Sequence, residues 1–192
     1  SAYYNDLTIY AQKELFDELR TKILLDKRFN QEIRFHCSAS SALFRFDNSE
    51  YDLARVGIMS YGYIVLPDDC SSRPLELKPV MSLWGDRIST KNINKSDKIG
   101  YGGAFTAKEE MKVSTYDVGY GDGFLRLDGS ENSAIEDERE ILGVVSMNSF
   151  SVSGDDDSVC VFNNAERFSN LHGTIVYEII SNINSNFERR IV

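Results

Sequence analysis

The amino-acid sequence predicts a mixed fold, in which an α/β segment with parallel strands is followed by an all-β antiparallel domain. Helix-like and strand-like stretches alternate over residues 1–65, which is typical of an α/β architecture. After residue 80, short apolar runs are separated by turn residues about every ten positions, which indicates a small antiparallel barrel or sandwich. The length of 192 residues is sufficient for one ordinary domain or two small ones.

The first segment is predicted from its apolar spacing. Apolar residues recur every three to four positions over residues 7–29, which predicts an amphipathic helix. Residues 33–37 and 53–58 are predicted as two strands, with a short helix at residues 42–44 between them. Because a strand–helix–strand order is typical of parallel sheets, we expect the two strands to run in parallel.

The second segment follows a boundary marked by all three prolines of the chain, Pro67, Pro74 and Pro79. Beyond them we expect β-structure within residues 80–92, 103–106, 111–116, 140–145 and 158–162. Residues 164–172 are predicted as a short helix. Residues 174–183 are apolar and could form a helix or a strand, because their periodicity does not decide between the two.

Charge and composition exclude several classes of function. The chain has 21 Lys and Arg against 30 Asp and Glu, a net charge of −9, which argues against nucleic-acid partners because these attract a surplus of cations. No apolar run approaches the roughly 18 residues of a membrane span, so no membrane partner is expected. Cys37, Cys70 and Cys160 are widely spaced, which indicates neither a disulfide framework nor a metal site. Reduced thiols favour a cytoplasmic location. The acidic stretch 154–157 lacks the spacing of a calcium loop and is interpreted as a hairpin tip.

Two clusters in the first segment could bind an anion. His36 and Ser40 lie where a predicted strand meets a helix, and hydroxyl and backbone N–H groups at such a junction suit a phosphate. Arg55 lies within the next apolar run, where a buried arginine needs an acceptor, and Gly57 lets a ligand approach the backbone. Taken singly, Ser40 is typical of a helix cap and Arg55 of a salt-bridged surface residue.

Three clusters in the second segment place tyrosines among glycines. They span residues 99–103, 119–126 and 173–178. Taken singly, the first is typical of a β-turn and the last of packing. The middle cluster has neither GxGxxG spacing within a βαβ unit nor a Lys-Ser/Thr ending, so we exclude a nucleotide-binding loop.

In this order the five clusters resemble the C-terminal half of alanine racemase, a fold-type III enzyme family that uses pyridoxal 5'-phosphate (PLP). The resemblance covers nearly the whole chain, and it depends on Tyr-Gly-Gly-x-Phe at 101–105, Gly-Tyr-x-Asp-Gly-Phe at 119–124, Ser-Met-Asn at 146–148 and Gly-Thr-Ile-x-Tyr-Glu at 173–178. It implies that residues 1–65 are the C-terminal part of a TIM-type (β/α)₈ barrel, 66–77 a linker and 78–192 an antiparallel β domain.

The resemblance also implies which residues hold PLP. The groups that match its phosphate ligands are Ser40, the backbone N–H groups of Gly57 and Ile58, and Tyr177. Arg55 matches an arginine that faces the pyridine nitrogen, and His36 matches a histidine that supports this arginine. A permanent cation in that place disfavours protonation of the nitrogen, which limits side reactions.

The residues matched to substrate chemistry lie in the second segment. Tyr101 matches the catalytic tyrosine that exchanges the α-proton on one face of the substrate, and Met147 matches a residue whose N–H meets the substrate carboxylate. Tyr120, Arg126 and Tyr177 resemble residues that line the access channel. Since each subunit of the family's homodimer lends its tyrosine to the other, the resemblance implies that Tyr101 acts across a dimer interface.

The resemblance has one large departure. The family's other catalytic base is a lysine that also carries PLP, in a Lys-Ala-Asn-Ala-Tyr-like motif, and no lysine of this chain has that context. We therefore expect the intact enzyme to interconvert L- and D-alanine for peptidoglycan, and this chain alone to be inactive. The alternatives are a non-enzymatic β module that binds a partner through its glycine-rich loops, and a PLP racemase for serine or a basic amino acid. Val144, which stands where the family usually has arginine, leaves the substrate open.

Overall fold

The computed structural model describes residues 8–29, 32–66, 70, 76–128 and 133–191. Its contacts divide the chain into two units, Ser1–Val80 and Met81–Val192. The predicted linker at 66–77 lies mostly outside the described residues, and the predicted domain boundaries stay predictions. Among the helices in the described part of the chain, none is both long and apolar enough to span a lipid bilayer.

The first unit begins with helix α1, Thr8–Leu25, which lies within the predicted range 7–29. Two edge-on aromatic contacts join it to the segment that follows. The rings of Tyr10 and Phe46 have centroids 5.5 Å apart, and those of Phe16 and Tyr51 are 5.7 Å apart. The leucines of α1 are all exposed, so aromatic contacts rather than a leucine stripe hold the helix in this unit.

The strands predicted at residues 33–37 and 53–58 are wrong. A single parallel bridge, from Ala39 to Arg55, joins the two segments, and the described residues of the first unit contain no strand. The predicted parallel direction is thus present at one point without a ladder. Two parallel segments need further strands on either side to form a stable sheet, and the described residues of the first unit supply none. No part of a TIM-type barrel is formed in the described residues.

Local hydrogen bonds replace the missing ladder. The Phe35 N–H donates to the Asp52 carboxylate at 2.7 Å, and the Asp52 N–H donates to the Phe35 carbonyl at 3.0 Å. The helix predicted at residues 42–44 is a 3₁₀ turn, Ala42–Phe44, and a second 3₁₀ turn spans Ile58–Tyr61. Short turns and side-chain hydrogen bonds therefore satisfy backbone groups that strands would otherwise pair.

The described residues of the second unit form six strands: β1 (Leu83–Ile93), β2 (Lys98–Ile99), β3 (Phe105–Thr106), β4 (Met111–Tyr116), β5 (Phe150–Ser153) and β6 (Ser158–Phe162). Four of them form an antiparallel sheet in the order β5–β4–β1–β6, and β2 pairs with β3 in a hairpin. The first part of β1 pairs with β6 and the rest with β4, with a bulge between Arg87 and Ser89 that bends the strand. The predicted antiparallel all-β domain is confirmed.

One predicted strand of this unit is wrong and two strands were missed. Residues 140–145 form only a bridge, from Ala134 to Glu140, because Gly143 has a φ of +80° that interrupts an extended run. Their apolar character reflects burial of a loop, since Ile141, Leu142 and Val145 are buried. The missed strands, β2 and β5, have two and four residues, too few for an alternating pattern to stand out.

Two short helices complete the second unit. α2 spans Ala165–Leu171, within the predicted range 164–172, and the Asn164 side chain caps it by accepting hydrogen bonds from two backbone N–H groups of its first turn. The ambiguous apolar segment 174–183 is helical, as α3, Val176–Asn182.

A chain of aromatic rings forms the core between the sheet and α2. Phe150 of β5 contacts Tyr116 and Phe124, with ring centroids 5.7 and 5.5 Å apart. Phe168 of α2 contacts Phe124 at 5.8 Å and Phe162 of β6 at 5.3 Å. Because Phe124 directly follows the glycine-rich loop 119–123, this core also anchors that loop.

The acidic stretch 154–157 is the tip of the β5–β6 hairpin, as interpreted from the sequence. The tip is neutralised rather than simply solvated. Each of its three aspartates pairs with a cation from another part of the unit, in the ion pairs Asp155–Lys112, Asp156–Arg139 and Asp157–Arg87.

Candidate functional site

The predicted phosphate ligands of the first unit lie on its two neighbouring segments. Ser40 is buried, and its Oγ accepts a hydrogen bond from the Gly57 N–H at 3.2 Å. Gly57 directly precedes the 3₁₀ turn that begins at Ile58. A Cβ added at Gly57 would meet no heavy atom within 4 Å, so open space adjoins Gly57. The hydroxyl and the backbone around Gly57 and Ile58 are thus brought together next to a space that a ligand can enter.

His36 and Arg55, the two basic residues predicted for this site, do not make the predicted contact with each other. The His36 Nδ1 atom is buried and has no hydrogen-bond partner among the described residues. The Arg55 N–H donates to the Ser38 carbonyl at 2.9 Å, which fixes its backbone, while the residue is exposed. Within the described ranges no hydrogen bond joins His36 to Arg55. The backbone positions are therefore in place, but the predicted support of the arginine by the histidine is not formed.

A buried polar contact that sequence reasoning missed holds the backbone just before Ser40. The Ser38 hydroxyl is 1% exposed and donates to the Asn48 side-chain oxygen. The Asn48 amide in turn donates to the carbonyls of Leu43 and Phe46, at 3.3 and 2.7 Å. Only the run of serines at 38–41 signalled this contact, because an asparagine ten residues away gives no local pattern.

Tyr101 projects from the tip of the β2–β3 hairpin. It is 73% exposed, and the 3₁₀ turn Tyr101–Gly103 surrounds it with backbone that only glycine adopts readily, with φ of +77° at Gly100 and +67° at Gly102. A Tyr101 packed in the core of its own domain would favour the alternative of a non-enzymatic β module. The exposed side chain gives that alternative no support.

The loop 119–123 brings three further predicted residues together. The Tyr120 N–H donates to the Ser146 carbonyl at 3.1 Å, and the Gly121 N–H donates to the Met147 carbonyl at 2.8 Å. The guanidinium carbon of Arg126 lies 6.0 Å from the centre of the Tyr120 ring. Tyr120 and Arg126, predicted to line the access channel, and the exposed Met147, predicted to meet the substrate carboxylate, therefore lie on one surface.

Tyr177 lies at the start of α3 and is partly exposed. The other end of α3 contacts the same loop, because the Asn184 N–H donates to the Asp122 carbonyl at 2.9 Å. A Cβ at Gly123 would lie 1.9 Å from the Asn182 carbonyl oxygen, so helix end and loop are in direct contact. The sequence motifs at 119–124 and 173–178 thus belong to adjoining elements.

Among the described residues, neither Cys160 nor the metal-ligating side chains form a second candidate site. Burial, with smaller effects from the charges of Glu136 and Asp137, raises the pKa of the Cys160 thiol to about 11. This thiol is therefore protonated at neutral pH and is no nucleophile. No group of three or more His, Cys, Asp or Glu that could hold a metal ion occurs among the described residues.

Comparison with known proteins identifies the family. Residues 80–191 match the family model for the alanine racemase C-terminal domain. The chain belongs to this family. All four motifs that carried the resemblance to alanine racemase lie in the matched range.

The similarity to alanine racemases extends beyond the matched domain. An alanine racemase of a Nitratiruptor species is 38% identical over 183 residues, which are 94% of this chain and 53% of that protein. The first unit is therefore included in the similarity, although the family model does not cover it. The chain spans about half the length of the curated relatives it matches.

Two solved structures agree with this family. An alanine racemase of Clostridium difficile 630 in complex with cycloserine has a TM-score of 0.77 and 26% identity, over 96% of this chain and 52% of that chain. An alanine racemase of Bartonella henselae with covalently bound pyridoxal phosphate has a TM-score of 0.75 and 20% identity, over 100% of this chain and 54% of that chain. At that identity the second likeness concerns the fold alone.

Proposed function

We propose that this chain is the C-terminal part of a PLP-dependent alanine racemase, an isomerase that interconverts L- and D-alanine in the cytoplasm for peptidoglycan synthesis. The observation that carries the proposal is Tyr101, which a glycine turn holds 73% exposed at the tip of a hairpin in a domain of the alanine racemase family. A tyrosine that only packed its own domain would be buried. An exposed phenol on a fixed turn is suited to act in a site completed by another part of the protein.

The residues around Ser40 fit the phosphate of PLP. The space beside Gly57 is open, and the Ser40 hydroxyl and the Ile58 N–H are donors suited to an anion. The Gly57 N–H, which donates to the Ser40 Oγ at 3.2 Å in this chain, would turn from that oxygen to the phosphate. Tyr177 is the fourth proposed ligand. When bound, PLP supplies an electron sink that makes the α-proton of an amino acid easier to remove.

Arg55 and His36 are proposed to face the pyridine ring. The buried His36 Nδ1 atom has no partner among the described residues, which fits a role completed only when the remaining protein and cofactor are present. Arg55, exposed here, carries the cation that would keep the pyridine nitrogen unprotonated.

Residues of this chain are proposed to exchange the proton of the amino acid, to bind its carboxylate and to line its access channel. The Tyr101 phenol oxygen takes up and returns the proton at the α-carbon on one face. The Met147 N–H donates to the carboxylate and so fixes the α-carbon relative to that phenol. Tyr120, Arg126 and Tyr177 line the access channel, where the Arg126 cation favours entry of an anionic group.

Residues 1–65 are proposed to complete a TIM-type barrel whose other strands lie in the remaining half of the protein, with 66–77 as linker and 78–192 as the β domain. The exposed leucines of α1 and the lone Ala39–Arg55 bridge are what such an incomplete barrel leaves behind. The intact protein is proposed to be a homodimer in which Tyr101 serves the barrel of the second subunit.

The proposal is tested in the intact protein that contains this chain. Tyr101→Phe should lower the rate of D-alanine formation from L-alanine by at least about 10²-fold, because a general base contributes roughly this much. Tyr61→Phe, at an exposed tyrosine with no assigned role, should leave the rate unchanged. The 192-residue chain alone should form no D-alanine with added PLP. Full activity of Tyr101→Phe, or clear turnover by the chain alone, would refute the proposal.

A further inference from the structure

The direction of the Met147 N–H is set by the loop 119–123. This N–H shares a peptide unit with the Ser146 carbonyl, which accepts a hydrogen bond from the Tyr120 N–H at 3.1 Å. The described residues contain no cis peptide bond, and in a trans unit the C=O and N–H groups point in opposite directions. The Tyr120 bond therefore aims the Met147 N–H away from the loop.

Two more hydrogen bonds fix the backbone on either side of this peptide unit. The Gly121 N–H donates to the Met147 carbonyl at 2.8 Å, and the Ser146 N–H donates to the Ser149 carbonyl at 2.8 Å. No described residue accepts a hydrogen bond from the Met147 N–H itself. This donor lies between the Ser146 and Met147 carbonyls, which both accept hydrogen bonds, and at an exposed residue it is preorganised for an acceptor from outside.

The loop that orients this donor is closed by Asp122. Its carboxylate accepts a hydrogen bond from the Gly119 N–H at 2.9 Å, and its own N–H donates to the Gly119 carbonyl at 3.0 Å. Its carbonyl accepts from the Asn184 N–H at 2.9 Å, which joins the loop to the end of α3. Asp122 thus holds the turn from which both the Tyr120 and Gly121 N–H groups are presented.

Gly119 shows how closely this loop approaches Met147. A Cβ at Gly119 would lie 2.3 Å from the Met147 carbonyl oxygen, although the φ of −141° at Gly119 suits any residue. The contact alone therefore excludes a side chain. Any side chain at position 119 must displace the peptide that Asp122 and its loop hold.

We propose that Asp122 is a positioning residue for the carboxylate of the substrate: by closing the loop 119–123 it aims the Met147 N–H at that carboxylate. The inference rests on the proposed function for the role of Met147. Arg126, whose guanidinium carbon lies 6.0 Å from the centre of the Tyr120 ring, adds a positive charge to the same surface, which suits an anionic acceptor. Asp122 touches no substrate and acts through the Tyr120 and Gly121 backbone.

The test uses the complete 192-residue chain labelled with ¹⁵N, with sodium propionate as a carboxylate probe that resembles alanine without its amino group. The Met147 amide signal should shift saturably with propionate. Asp122→Ala should raise the propionate Kd at least about tenfold and make the Tyr120 and Gly121 amides exchange with solvent at least about tenfold faster. Asp122→Asn keeps a side-chain acceptor and should restore most of both readouts.

The matched control is Asp117→Ala. The Asp117 carboxylate also accepts from a backbone N–H, that of Asp86 at 2.7 Å, but it lies outside the loop. It should leave the Met147 shift and the Tyr120 exchange unchanged. If Asp122→Ala gives no folded spectrum, Gly119→Ala is used instead, because its Cβ displaces the Met147 carbonyl while Asp122 remains. It should raise the propionate Kd as Asp122→Ala would.

Three outcomes would overturn the inference: no propionate response at the wild-type Met147 amide, wild-type affinity in the Asp122 or Gly119 variant, or an equal loss in the Asp117 control. Racemase activity is not read in this experiment. Propionate binding through Met147 in a protein whose intact form does not racemise alanine would refute the proposed function and leave the role of Asp122 as a carboxylate-positioning residue standing.

Discussion

Replacing Arg139 should loosen the β5–β6 hairpin tip and with it the second unit. The Arg139 Nε donates to the Asp137 Oδ2 at 2.8 Å, and a second guanidinium nitrogen approaches the same oxygen at 2.6 Å. The remaining terminal nitrogen reaches the Asp156 Oδ2 at 2.6 Å and the Ser153 carbonyl at 3.0 Å. One side chain therefore ties together the 134–140 turn, the end of β5 and the acidic tip.

The size of the effect follows from these contacts. Two nitrogens of Arg139, whose side chain is 24% exposed, contact the Asp137 carboxylate, and this pair should contribute about 1.5 kcal/mol to the free energy of unfolding. The pair with Asp156, which is 59% exposed, should contribute about 0.5 kcal/mol, and the Ser153 carbonyl about 1 kcal/mol. Both carboxylates can be rehydrated, so no isolated buried charge remains. Arg139→Met should thus lower the free energy of unfolding by about 2–3 kcal/mol.

The assay is urea unfolding of the chain, followed by the fluorescence of Trp84. This is the single tryptophan of the protein and lies on β1, so it reports on the second unit. With a slope of about 2 kcal/mol per molar urea, the midpoint should fall by about 1 M. Arg190→Met is the matched control, because the one ion pair of Arg190 among the described residues is with Glu188, and both side chains are about three-quarters exposed. Equal midpoints for the two variants would refute the reasoning.

Two further results are expected from the same contacts and from the proposed site. Burial alone would raise the pKa of Asp137, but its hydrogen bonds from Arg139 outweigh burial and hold that pKa below its ordinary value. This stabilisation is present above the ordinary carboxyl pKa of about 4, and it is lost as the pH falls through the lowered pKa of Asp137. The difference in urea midpoint between wild type and Arg139→Met should therefore shrink below about pH 4. An undiminished difference at about pH 2.5 would contradict this expectation. The second result concerns Gly57→Ala, which places a Cβ in open space, so the intact protein should keep its unfolding midpoint. Its Kd for PLP, measured by spectral titration, should rise about tenfold. An unchanged PLP affinity would remove Gly57 from the proposed phosphate site.

The second unit could be predicted further from the sequence than the first, for a physical reason. Strands β4 and β6 have their partners within the matched family domain, residues 80–191, so alternation and pairing agree. The segments at 33–37 and 53–58 have strand-like composition, but the described residues of the first unit contain no strand that could flank them. The composition of a segment indicates whether it can form a strand, but a β-ladder also requires a neighbouring strand to pair with.

The site shows a similar division. The sequence nominates Tyr101, Tyr120 and Met147 as candidate site residues because their motifs are local, with each candidate within a few positions of its turn glycine. The Ser38–Asn48 contact was missed because its two residues lie ten positions apart in unrelated patterns. Asp122 lay inside a quoted motif but was given no role, since its effect on Met147 passes through backbone hydrogen bonds that sequence does not display.

The glycines around the proposed active-site residues serve two different physical needs, which makes their substitution informative. At Gly102, a φ of +67° is required for the turn that exposes Tyr101, and the Cβ position is otherwise empty. At Gly119 the backbone is ordinary, and only the contact with Met147 excludes a side chain. An asparagine, which tolerates a positive φ, can therefore replace the first glycine at a modest cost but not the second. A sequence motif cannot distinguish these two reasons for a glycine. The structure shows that Gly102 is needed for the conformation of a turn and Gly119 for a close approach to Met147.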